Sequence, residues 1–576
     1  MAGIYGILLN NNHSQKVHDF FFNSKFLNID KREIQYGDYS FGRSVLSKFN
    51  NDRFFFENEK YILCFEGIKY NSFSSSEDFI EKFIKEGSQF ISQIKGVFAG
   101  FIFSKQTETI EVFNDSLGTK NIFYFYDSKL GLAFSSEMHV LSKVLRENNI
   151  CLNYNKDAIY SLALYGQVFD DQTVVHEINR LEYGTVLSLD LKTKVLKKEK
   201  YYYIDKPTNH TINLQDAISE IDRLMLKSVE REWQKDLAEN KNHLTLISGG
   251  MDSRVNALLA RELGYDKINS YTYGAPNSSD VRISNTIAKD NFYAHTQLNL
   301  NNGLYLSDTI MENYIIPSDG LSIYTPIATM QHSLKRMNFT NYGVLHSGQI
   351  GDVVFGSFVR ENFDIQENKD KIGLTGNIKH KNLIEKIESL NNILNRYRDK
   401  NYELYSYEQR QINGTLTGDR VASNYIDHIS PFYDTELIDF MFSLPSKFKV
   451  NQNIYFKWLE QRHPQVLKYE WEKIGLRPNT HLKRKYGGLM KKYVNGGKKY
   501  FNLPYDSMNP ISNWISQDKK IAETLDSIFR NHVKLLSDQE LRKDLTLIYQ
   551  DDIFEFRNKF SVLTVLLSLK LHFGQD

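Results

Sequence analysis

One stretch of the sequence combines an apolar run, two glycines and a carboxylate in an order that favours phosphate binding. In LTLISGGMDSRVNALLA the apolar residues before Ser248 predict a buried strand, and RVNALLA predicts a helix. Gly249 and Gly250 let backbone N–H groups approach an anion, and the helix N-terminus favours negative charge. Asp252 can hold the Mg²⁺ that accompanies a nucleotide's phosphates. An ordinary strand-to-helix turn is the alternative, but SGGxDS after an apolar strand is far more specific than two glycines.

Other segments narrow the type of nucleotide chemistry. The SGGxDS loop resembles the pyrophosphate-binding loop of the ATP pyrophosphatase superfamily, in which ATP is split between the α and β phosphates. Four later segments resemble parts of asparagine synthetase-like proteins in order: YGAPNSSDVRISNTIAKD, HSGQIGDVVFGS, SPFYDTELIDFMFSLPSKFKV and LKRKYGG. GVFAGFIF, NDSLGTKNIFYF and LAFSSEMHVL follow the order of the class II glutamine amidotransferase domain of the same family. The resemblance therefore extends from residue 3 to at least residue 488.

This resemblance implies roles for the matching residues. The pyrophosphate-binding residues would be Ser248, Gly249, Gly250, Asp252 and Ser253. Asp252 and Asp352 would hold Mg²⁺, while Gly348 and the strand 271–274, ending at Gly274, would line the adenylate site. The physical reasoning agrees, because metal ions and fixed donors stabilise the charge that gathers in phosphoryl transfer. For Asp352 a helix or turn cap is the alternative.

A cation completes the predicted reaction centre. By resemblance, Lys485 in LKRKYGG is the predicted cation that stabilises acyl-adenylate formation or the attack that follows. Its neighbours Lys483 and Arg484 stay open as alternatives, because the alignment can slip by a residue or two. A solvated basic loop is the non-functional reading of the same cluster.

The chain departs from the family at both of its expected sites. The family's glutaminase needs a cysteine at position two, where this chain has Ala2. Glu66 replaces an asparagine oxyanion donor, and Ile68 replaces a substrate-binding carboxylate. In the second loop Gln349 replaces a glutamate and Val353 replaces an acidic residue. Gln349 is retained as a candidate catalytic residue, although an amide cannot be a general base, so plain asparagine synthesis is in doubt.

Hydrophobic periodicity predicts two domains. Short aromatic and β-branched runs before residue 205 predict stacked antiparallel sheets, and the resemblance makes this an Ntn-hydrolase-like α+β domain spanning residues 1–205. From residue 206 to 576, strand–helix–strand patterns predict an α/β parallel-sheet domain with a helical C-terminal part, and the resemblance implies that this is an ATP pyrophosphatase domain. Residues 365–410 are predicted to be a charged, helix-like insertion or lid.

Composition excludes several classes of function. The chain of 576 residues carries 71 Lys plus Arg against 70 Asp plus Glu, so neither nucleic acid nor an anionic membrane is expected as the main partner. No apolar run reaches the ~20 residues of a membrane span. The two cysteines, Cys64 and Cys151, are too few for a disulfide framework or a zinc site, and the histidines lack metal-ligand spacing. A cytoplasmic protein with reduced thiols is expected.

The leading hypothesis is an ATP-dependent amide-forming ligase that adenylates a carboxylate and has no glutaminase activity of its own. β-Lactam synthetases and lasso-peptide cyclases also lack the cysteine, and an amine already held on their substrate attacks the adenylate. A small-molecule, peptide or sugar carboxylate and an amine are the expected substrates, in natural-product, peptide-cyclising or surface-glycan chemistry. A precursor-processing partner protein and a homodimer are further expectations. An asparagine synthetase-like enzyme that uses free ammonia and an ATP-binding pseudoenzyme are the alternatives, and a PP-loop RNA-modifying enzyme is disfavoured by the balanced charge.

Overall fold

The N-terminal half consists of two stacked antiparallel sheets. The computed structural model describes residues 3–10, 14, 16–26, 28–71, 73–306, 311–398, 400, 402–500, 506–550 and 556–574. The strands are β1 (Ile4–Leu9), β2 (Ile29–Tyr36), β3 (Tyr39–Leu46), β4 (Phe54–Glu57), β5 (Tyr61–Lys69), β6 (Gly96–Ser104), β7 (Thr109–Asn114), β8 (Phe123–Asp127), β9 (Gly131–Ser135), β10 (Asn179–Arg180), β11 (Thr185–Asp190) and β12 (Val195–Lys200). The two six-stranded orders are β10-β8-β9-β1-β3-β2 and β12-β11-β7-β6-β5-β4.

Aromatic side chains from both sheets fill the layer between them. The ring of Phe101 on β6 lies 5.5 Å from that of Phe41 on β3 and 5.3 Å from that of Phe134 on β9, measured between centroids. Alternation along each strand sends these residues to one face, which explains the aromatic runs in the sequence. Four helices belong to this half: α1 (Ser76–Glu86), α2 (Ser88–Gln93), α3 (Met138–Glu147) and α4 (Lys156–Tyr165).

A parallel sheet organises the second half. Its five strands are β13 (Asn242–Leu246), β14 (Ile268–Gly274), β15 (Ala294–Asn299), β16 (Tyr342–His346) and β17 (His428–Ile429), in the order β15-β14-β13-β16-β17. All neighbours in this sheet run parallel. The carboxyl ends of β13 and β16 therefore lie side by side, where such sheets bind ligands. The predicted domain boundary at 205/206 lies between β12 and the first helix of this half.

Helices cover the sheet and form the C-terminal region. They are α5 (Leu214–Ala238), α6 (Met251–Glu262), α7 (Ser279–Asp290), α8 (Met311–Ile315), α9 (Tyr324–Leu334), α10 (Gly351–Val354), α11 (Leu390–Asn395), α12 (Tyr402–Tyr405), α13 (Thr417–Ala422), α14 (Thr435–Ser443), α15 (Ser446–Lys449), α16 (Asn453–Arg462), α17 (His481–Tyr500), α18 (Ile511–Gln517), α19 (Lys519–Val533), α20 (Gln539–Gln550) and α21 (Arg557–Phe573). A π-helix spans Ser406–Thr415. Short 3₁₀ turns are Val17–Asp19, Phe22–Lys25, Leu304–Leu306, Ile316–Ser318, Lys369–Lys371, Lys381–Lys386, Pro431–Tyr433, Val450–Gln452 and Pro464–Lys468.

The predicted fold class is confirmed, with one correction. Residues 365–410 were expected to be helix-like, but their described part consists of turns, 3₁₀ segments and the short helices α11 and α12 before the π-helix begins. Glycine and asparagine are frequent between residues 366 and 380, and these residue types favour turns over helix interiors. Among the helices that the structure describes, none has the length and hydrophobicity needed to cross a bilayer.

Candidate nucleotide-binding and adenylation site

The first loop joins β13 to α6 as the sequence predicts. The Ser248 N–H donates to Oγ of Ser253 at 3.1 Å, and the Gly250 N–H donates to Oγ of Ser248 at 3.1 Å. The Gly249 N–H donates to Oδ1 of Asp280 at 3.1 Å. Three consecutive N–H groups are thus held by side-chain oxygens rather than by backbone carbonyls. Phosphate oxygens are acceptors of the same kind, and the N-terminus of α6 favours their charge.

The second loop packs directly against the first. A Cβ on Gly348 would lie 2.2 Å from the backbone C of Asp252 and the backbone N of Ser253. A Cβ on Gly351 would lie 2.7 Å from Cγ of Asp252. Only glycine permits this approach, so the two loops meet at backbone distance. Gly348, which is predicted to line an adenylate site, lies at the junction of the two loops.

Two carboxylates meet at this junction. The Asp352 N–H donates to Oδ2 of Asp252 at 2.9 Å, and the Tyr455 hydroxyl donates to Oδ1 of Asp252 at 2.8 Å. Desolvation raises the pKa of Asp252 to about 8, and the charge of Asp352 adds to this. Desolvation also raises the pKa of Asp352, while the charge of Lys473 opposes the shift. Two close carboxylates with raised pKa values fit a divalent cation, since hard oxygen ligands suit Mg²⁺.

Arg254 and Glu472 fix the first loop to the segment that precedes α17. Arg254 Nη2 donates to the carbonyls of Gly249 and Glu470, each at 2.6 Å, and its Nε donates to the Gly250 carbonyl at 2.9 Å. The Glu472 N–H donates to the Gly249 carbonyl at 3.2 Å. Arg254 directly follows SGGMDS in the sequence, so its position alone could have identified it as a residue of the first loop. Glu472 gave no local signal, because its neighbour across the fold is more than two hundred residues away.

Glu472 also brings an unusual carboxyl group to the loop. Burial raises its pKa to about 7, and the nearby charge of Asp280 adds to the shift. Its Oε2 is buried and has no hydrogen-bond partner among the described residues. A carboxyl group with this pKa is neutral in about half of the molecules at pH 7 and opposes a bound anion less than an ordinary glutamate.

A cavity of about 650 Å³ opens at Ser357, which contacts Asp352. Ser357, Lys473 and Lys485 are among its lining residues, and the Ser357 N–H donates to the Asp352 carbonyl at 2.9 Å. The charge of Lys473 lowers the pKa of Asp352, so this lysine lies close to the carboxylate pair. The cavity can hold a substrate next to the site where the two loops meet.

The predicted cation Lys485 shares this cavity with Lys473. Lys485 Nζ lies 5.4 Å from the centroid of the Tyr486 ring. Of the two alternatives, Lys483 Nζ donates to Oδ1 of Asn479 at 3.0 Å. Arg484 also lines the cavity, but its Nη1 donates to Oε1 of Glu460 at 2.7 Å. Lys473 is thus a candidate that the sequence analysis missed, and the role of Lys485 stays a prediction.

The structure also places the two remaining predicted residues. Gly274 ends β14, and a Cβ there would lie 3.1 Å from Cγ2 of Val281. The Gln349 N–H donates to Oγ of Ser347 at 3.2 Å, and its carbonyl accepts from Oγ of Ser430 at 3.0 Å. The backbone of Gln349 is therefore fixed in the second loop, and the residue is half-buried. Roles for both residues stay predictions.

A buried hydrogen-bond network lies below the two loops. Oδ2 of Asp236 is 2.8 Å from Nδ1 of His243 and 2.8 Å from Nε2 of His346. The sequence analysis found no metal-ligand spacing among the histidines, yet these three residues place ligand atoms close enough to hold an ion. The carboxylate accepts from both rings, whereas Nδ1 of His346 is buried and has no hydrogen-bond partner among the described residues. Because β16 ends at His346, the network fixes the strand that carries the second loop.

Glu66, which the sequence comparison places at the family's oxyanion-donor position, belongs to a buried ion cluster. Arg53 Nε lies 3.1 Å from Oε1 of Glu66, and Arg53 Nη2 lies 2.6 Å from Oδ2 of Asp427. Lys120 Nζ lies 3.2 Å from Oδ1 of Asp427. Burial raises the pKa of Glu66; it would also raise that of Asp427, but the charges of Arg53 and Lys120 hold the Asp427 pKa well below its ordinary value. Ala2 lies outside the described residues.

Comparisons with known proteins agree with both halves of this architecture. The family described as glutamine amidotransferase domain matches residues 42–202, and the family described as asparagine synthase matches residues 220–463. Residues 42–202 and 220–463 thus carry the two domains found in the asparagine synthetase-like superfamily. This confirms the family predicted from the sequence, whereas neither family match distinguishes β-lactam synthetases or lasso-peptide cyclases within the superfamily.

One curated relative and two solved structures are similar to this chain at low sequence identity. The "Putative asparagine synthetase (glutamine-hydrolyzing) 2" of Methanocaldococcus jannaschii is 25% identical over 342 residues, which cover 58% of this chain and 62% of the relative. The glutamine phosphoribosylpyrophosphate amidotransferase of B. subtilis, complexed with ADP and GMP, is 12% identical with a TM-score of 0.21, covering 46% of this chain and 77% of that one. An allosteric regulatory enzyme of purine biosynthesis is 12% identical with a TM-score of 0.22, covering 52% and 74%.

Proposed function

We propose that the protein is an ATP-dependent amide-forming ligase that adenylates a carboxylate and then joins it to an amine. The observation that carries this proposal is the carboxylate pair Asp252 and Asp352, held where two glycine loops of an asparagine synthetase-like sheet meet. An ordinary strand-to-helix turn needs no such pair. Adenylation needs both a cation site and N–H donors beside the α and β phosphates.

In the proposed reaction the substrate carboxylate oxygen attacks the α-phosphorus of ATP, and the bond to the pyrophosphate leaving group breaks. The N–H groups of residues 248–250 bind the leaving pyrophosphate, while Arg254 keeps the loop in place through the Gly249 and Gly250 carbonyls. Asp252 and Asp352 would hold Mg²⁺, which neutralises the phosphate charge when bound. Pyrophosphate is released first, and AMP follows when the amine attacks.

Lysine side chains in the cavity stabilise the second step of this proposal. Attack by an amine on the acyl-adenylate places negative charge on the former carboxylate oxygen and releases AMP. Lys473 or Lys485, both in the wall of the cavity, would face this charge. The Gln349 amide can donate a hydrogen bond to substrate but cannot remove a proton, so the amine must lose its proton to another group.

The amine is proposed to come from the substrate or a second substrate rather than from glutamine hydrolysed in the first domain. Glu66 stands where the family has an oxyanion donor, and it is buried in an ion pair with Arg53. A carboxylate there repels an oxyanion, and the fully buried Ile68 offers no charge to a glutamine amine. Natural-product, peptide-cyclising or surface-glycan chemistry, cytoplasmic location, a precursor-processing partner and a homodimer remain part of the proposal.

Exchange of labelled pyrophosphate into ATP tests the proposal. A panel of amino acid, peptide and sugar carboxylates is assayed with the full chain, and glutamate release from glutamine is measured in parallel. At least one carboxylate should support exchange, and Asp252→Asn should reduce it about a hundredfold or more, since a metal ligand supplies several kcal/mol. The matched control Asp38→Asn removes an exposed carboxylate far from the cleft and should leave exchange unchanged.

The alternatives give different results in the same assay. Exchange that requires aspartate and product formation with ammonium ions would favour an asparagine synthetase-like enzyme that uses free ammonia. ATP binding without exchange for any carboxylate would favour a pseudoenzyme. Glutamate release from glutamine would contradict the proposed loss of glutaminase activity.

A further inference from the structure

Helix α17 turns its apolar side away from the protein. Its 20 residues, HLKRKYGGLMKKYVNGGKKY, include seven Lys or Arg and no Asp or Glu. The large apolar residues of the helix are between 49% and 84% exposed: Leu482, Tyr486, Leu489, Met490, Tyr493, Val494 and Tyr500. At 3.6 residues per turn these positions fall on one side of the helix. They form a continuous surface, which we call the outer face of α17.

The opposite side of the helix packs on the protein through small and polar residues. Gly487 is buried, and a Cβ there would lie 2.9 Å from Cβ of Ile474. Lys491 Nζ lies 2.5 Å from Oδ2 of Asp506, and Asn495 Nδ2 donates to the Asp506 carbonyl at 3.3 Å. These contacts anchor the helix in its orientation. Because the polar side of the helix contacts the rest of the protein, its apolar residues face outward.

This orientation is the reverse of the usual one for a helix on a globular protein. A surface helix normally buries its apolar stripe and exposes its charges. A contiguous exposed apolar surface of this kind marks a site that binds another surface. Among the residues that the structure describes, none covers the outer face. The exposed Lys483 and Lys492 lie at its two margins and add positive charge beside it.

We propose that the outer face of α17 binds the surface of a lipid bilayer that contains anionic lipids. Helices that lie in the membrane interface combine an apolar face with Lys-rich margins, and tyrosine is well suited to the headgroup region. The charge of the helix favours a bilayer over a protein partner. The helix carries seven cations and no anion, although the whole chain has a net charge of only +1, and such a local cluster of cations is attracted to anionic lipids. The helix lies on the bilayer and does not cross it.

The same helix borders the substrate cavity. His481, Arg484, Lys485 and Gly488 are among the residues that line the cavity of about 650 Å³. Binding of the outer face to a bilayer places the cavity mouth near the lipid headgroups. The proposal concerns attachment alone, and it does not depend on the ligase activity proposed above.

Co-sedimentation of the full chain with lipid vesicles tests this inference. One set of vesicles is phosphatidylcholine alone, and a second contains about one third phosphatidylglycerol as the anionic lipid. The protein should sediment with the anionic vesicles and remain largely in the supernatant with the neutral ones. Each lysine near an anionic surface contributes roughly a factor of five in affinity, so the double variant Lys483→Gln with Lys492→Gln should bind about 25-fold more weakly.

A second variant examines the apolar part of the interaction. Leu489→Glu with Tyr493→Glu should abolish sedimentation, because it places two anions in the outer face. The matched control, Leu237→Glu with Phe292→Glu, changes two residues that are equally exposed elsewhere. It should bind vesicles like the wild type, and circular dichroism should show the same helix content in all variants.

The results that would overturn the inference are equally definite. Wild-type protein that does not sediment with anionic vesicles contradicts it. The same holds if the control variant loses binding as strongly as the α17 variant. If the α17 variant leaves sedimentation unchanged but converts a dimer to a monomer in light scattering, the outer face is an interface between copies of the chain instead.

Discussion

Loss of Arg53 should destabilise the protein far more than loss of its partner Glu66. The side chains of Arg53, Glu66, Asp427 and Lys120 are between 1% and 4% exposed and together carry two positive and two negative charges. Arg53→Met leaves two buried carboxylates with one lysine. Glu66→Met instead leaves Asp427 with both of its cations, and the charge of Asp52 still acts on Arg53, so the remaining positive charge is compensated. Burial of an uncompensated charge is the large cost in such clusters, so the two variants should behave differently.

The expected magnitude follows from this imbalance. Removal of one partner from a buried ion pair typically costs about 3–5 kcal/mol. For 576 residues at about 2.1 cal/mol/K each, the entropy of unfolding is about 1.2 kcal/mol/K, so Arg53→Met should lower Tm by about 3 °C. Glu66→Met should lower it by less than about 1 °C. This value applies when both domains unfold in one transition. If they unfold separately, each transition has a smaller entropy and the same free-energy change gives a larger shift, so every transition of the melting curve is followed.

The double variant supplies the decisive measurement. With Glu66 already replaced, loss of Arg53 leaves only the Asp427–Lys120 pair, so Arg53→Met should lower Tm less in this background than in the wild type. Differential scanning fluorimetry of the four proteins measures the coupling. Equal shifts for the two single variants, or strict additivity in the double variant, would show that the cluster does not act through charge compensation.

Three further predictions concern the cleft and the thiols. Gly348→Ala should reduce pyrophosphate exchange and raise the KM for ATP by about tenfold or more, because the new Cβ would lie 2.2 Å from backbone atoms of the first loop; wild-type kinetics would refute this contact. Lys473→Met should lower kcat about a hundredfold, and it should lower kcat more than Lys485→Met does, because the charge of Lys473 acts on Asp352. If Lys485→Met lowers kcat more, Lys485 is the catalytic cation. One thiol should react with a maleimide in the native protein and two in denaturant, since Cys151 is exposed and burial raises the pKa of Cys64; two reactive thiols before unfolding would contradict the buried position.

The parts of the site that sequence could predict are those set by local order along the chain. The loop Ser248–Gly250 follows from an apolar strand, two glycines and a helix, and all three are visible in one segment. The nearness of Asp352 to Asp252 follows from the parallel sheet, because each residue lies in the first turn of the helix that follows a strand, and adjacent parallel strands end at the same edge.

The parts that sequence could not predict depend on side chains brought together from distant segments. Lys473 stands in an unremarkable stretch, whereas LKRKYGG attracted attention because it is rich in cations. Which cation faces Asp352 is decided by how residues 469–474 pack on the first loop, and this has no periodic signature. The ion cluster around Glu66 was likewise not predictable. Its partner Arg53 is near in sequence, but Asp427, which pairs with Arg53, comes from the other domain.

Helix α17 shows a different limit. Its cationic first turns suggested a solvated basic loop as the alternative to a catalytic role. The structure gives a 20-residue helix whose polar side is bound through Arg484, Lys491 and Asn495. Amphipathic periodicity predicts that a helix has two sides, but only the contacts show which side meets the protein.

The cluster around Arg53 ties residue 66 to the other domain. An asparagine at position 66 would remove a negative charge, yet Arg53 would remain paired with Asp427 of that domain. Moving Arg53 away would in turn leave Asp427 under-compensated inside the protein. Substitutions at positions 53, 66 and 427 therefore depend on one another. The first domain is half of a structural joint, so selection on folding alone is sufficient to retain these residues.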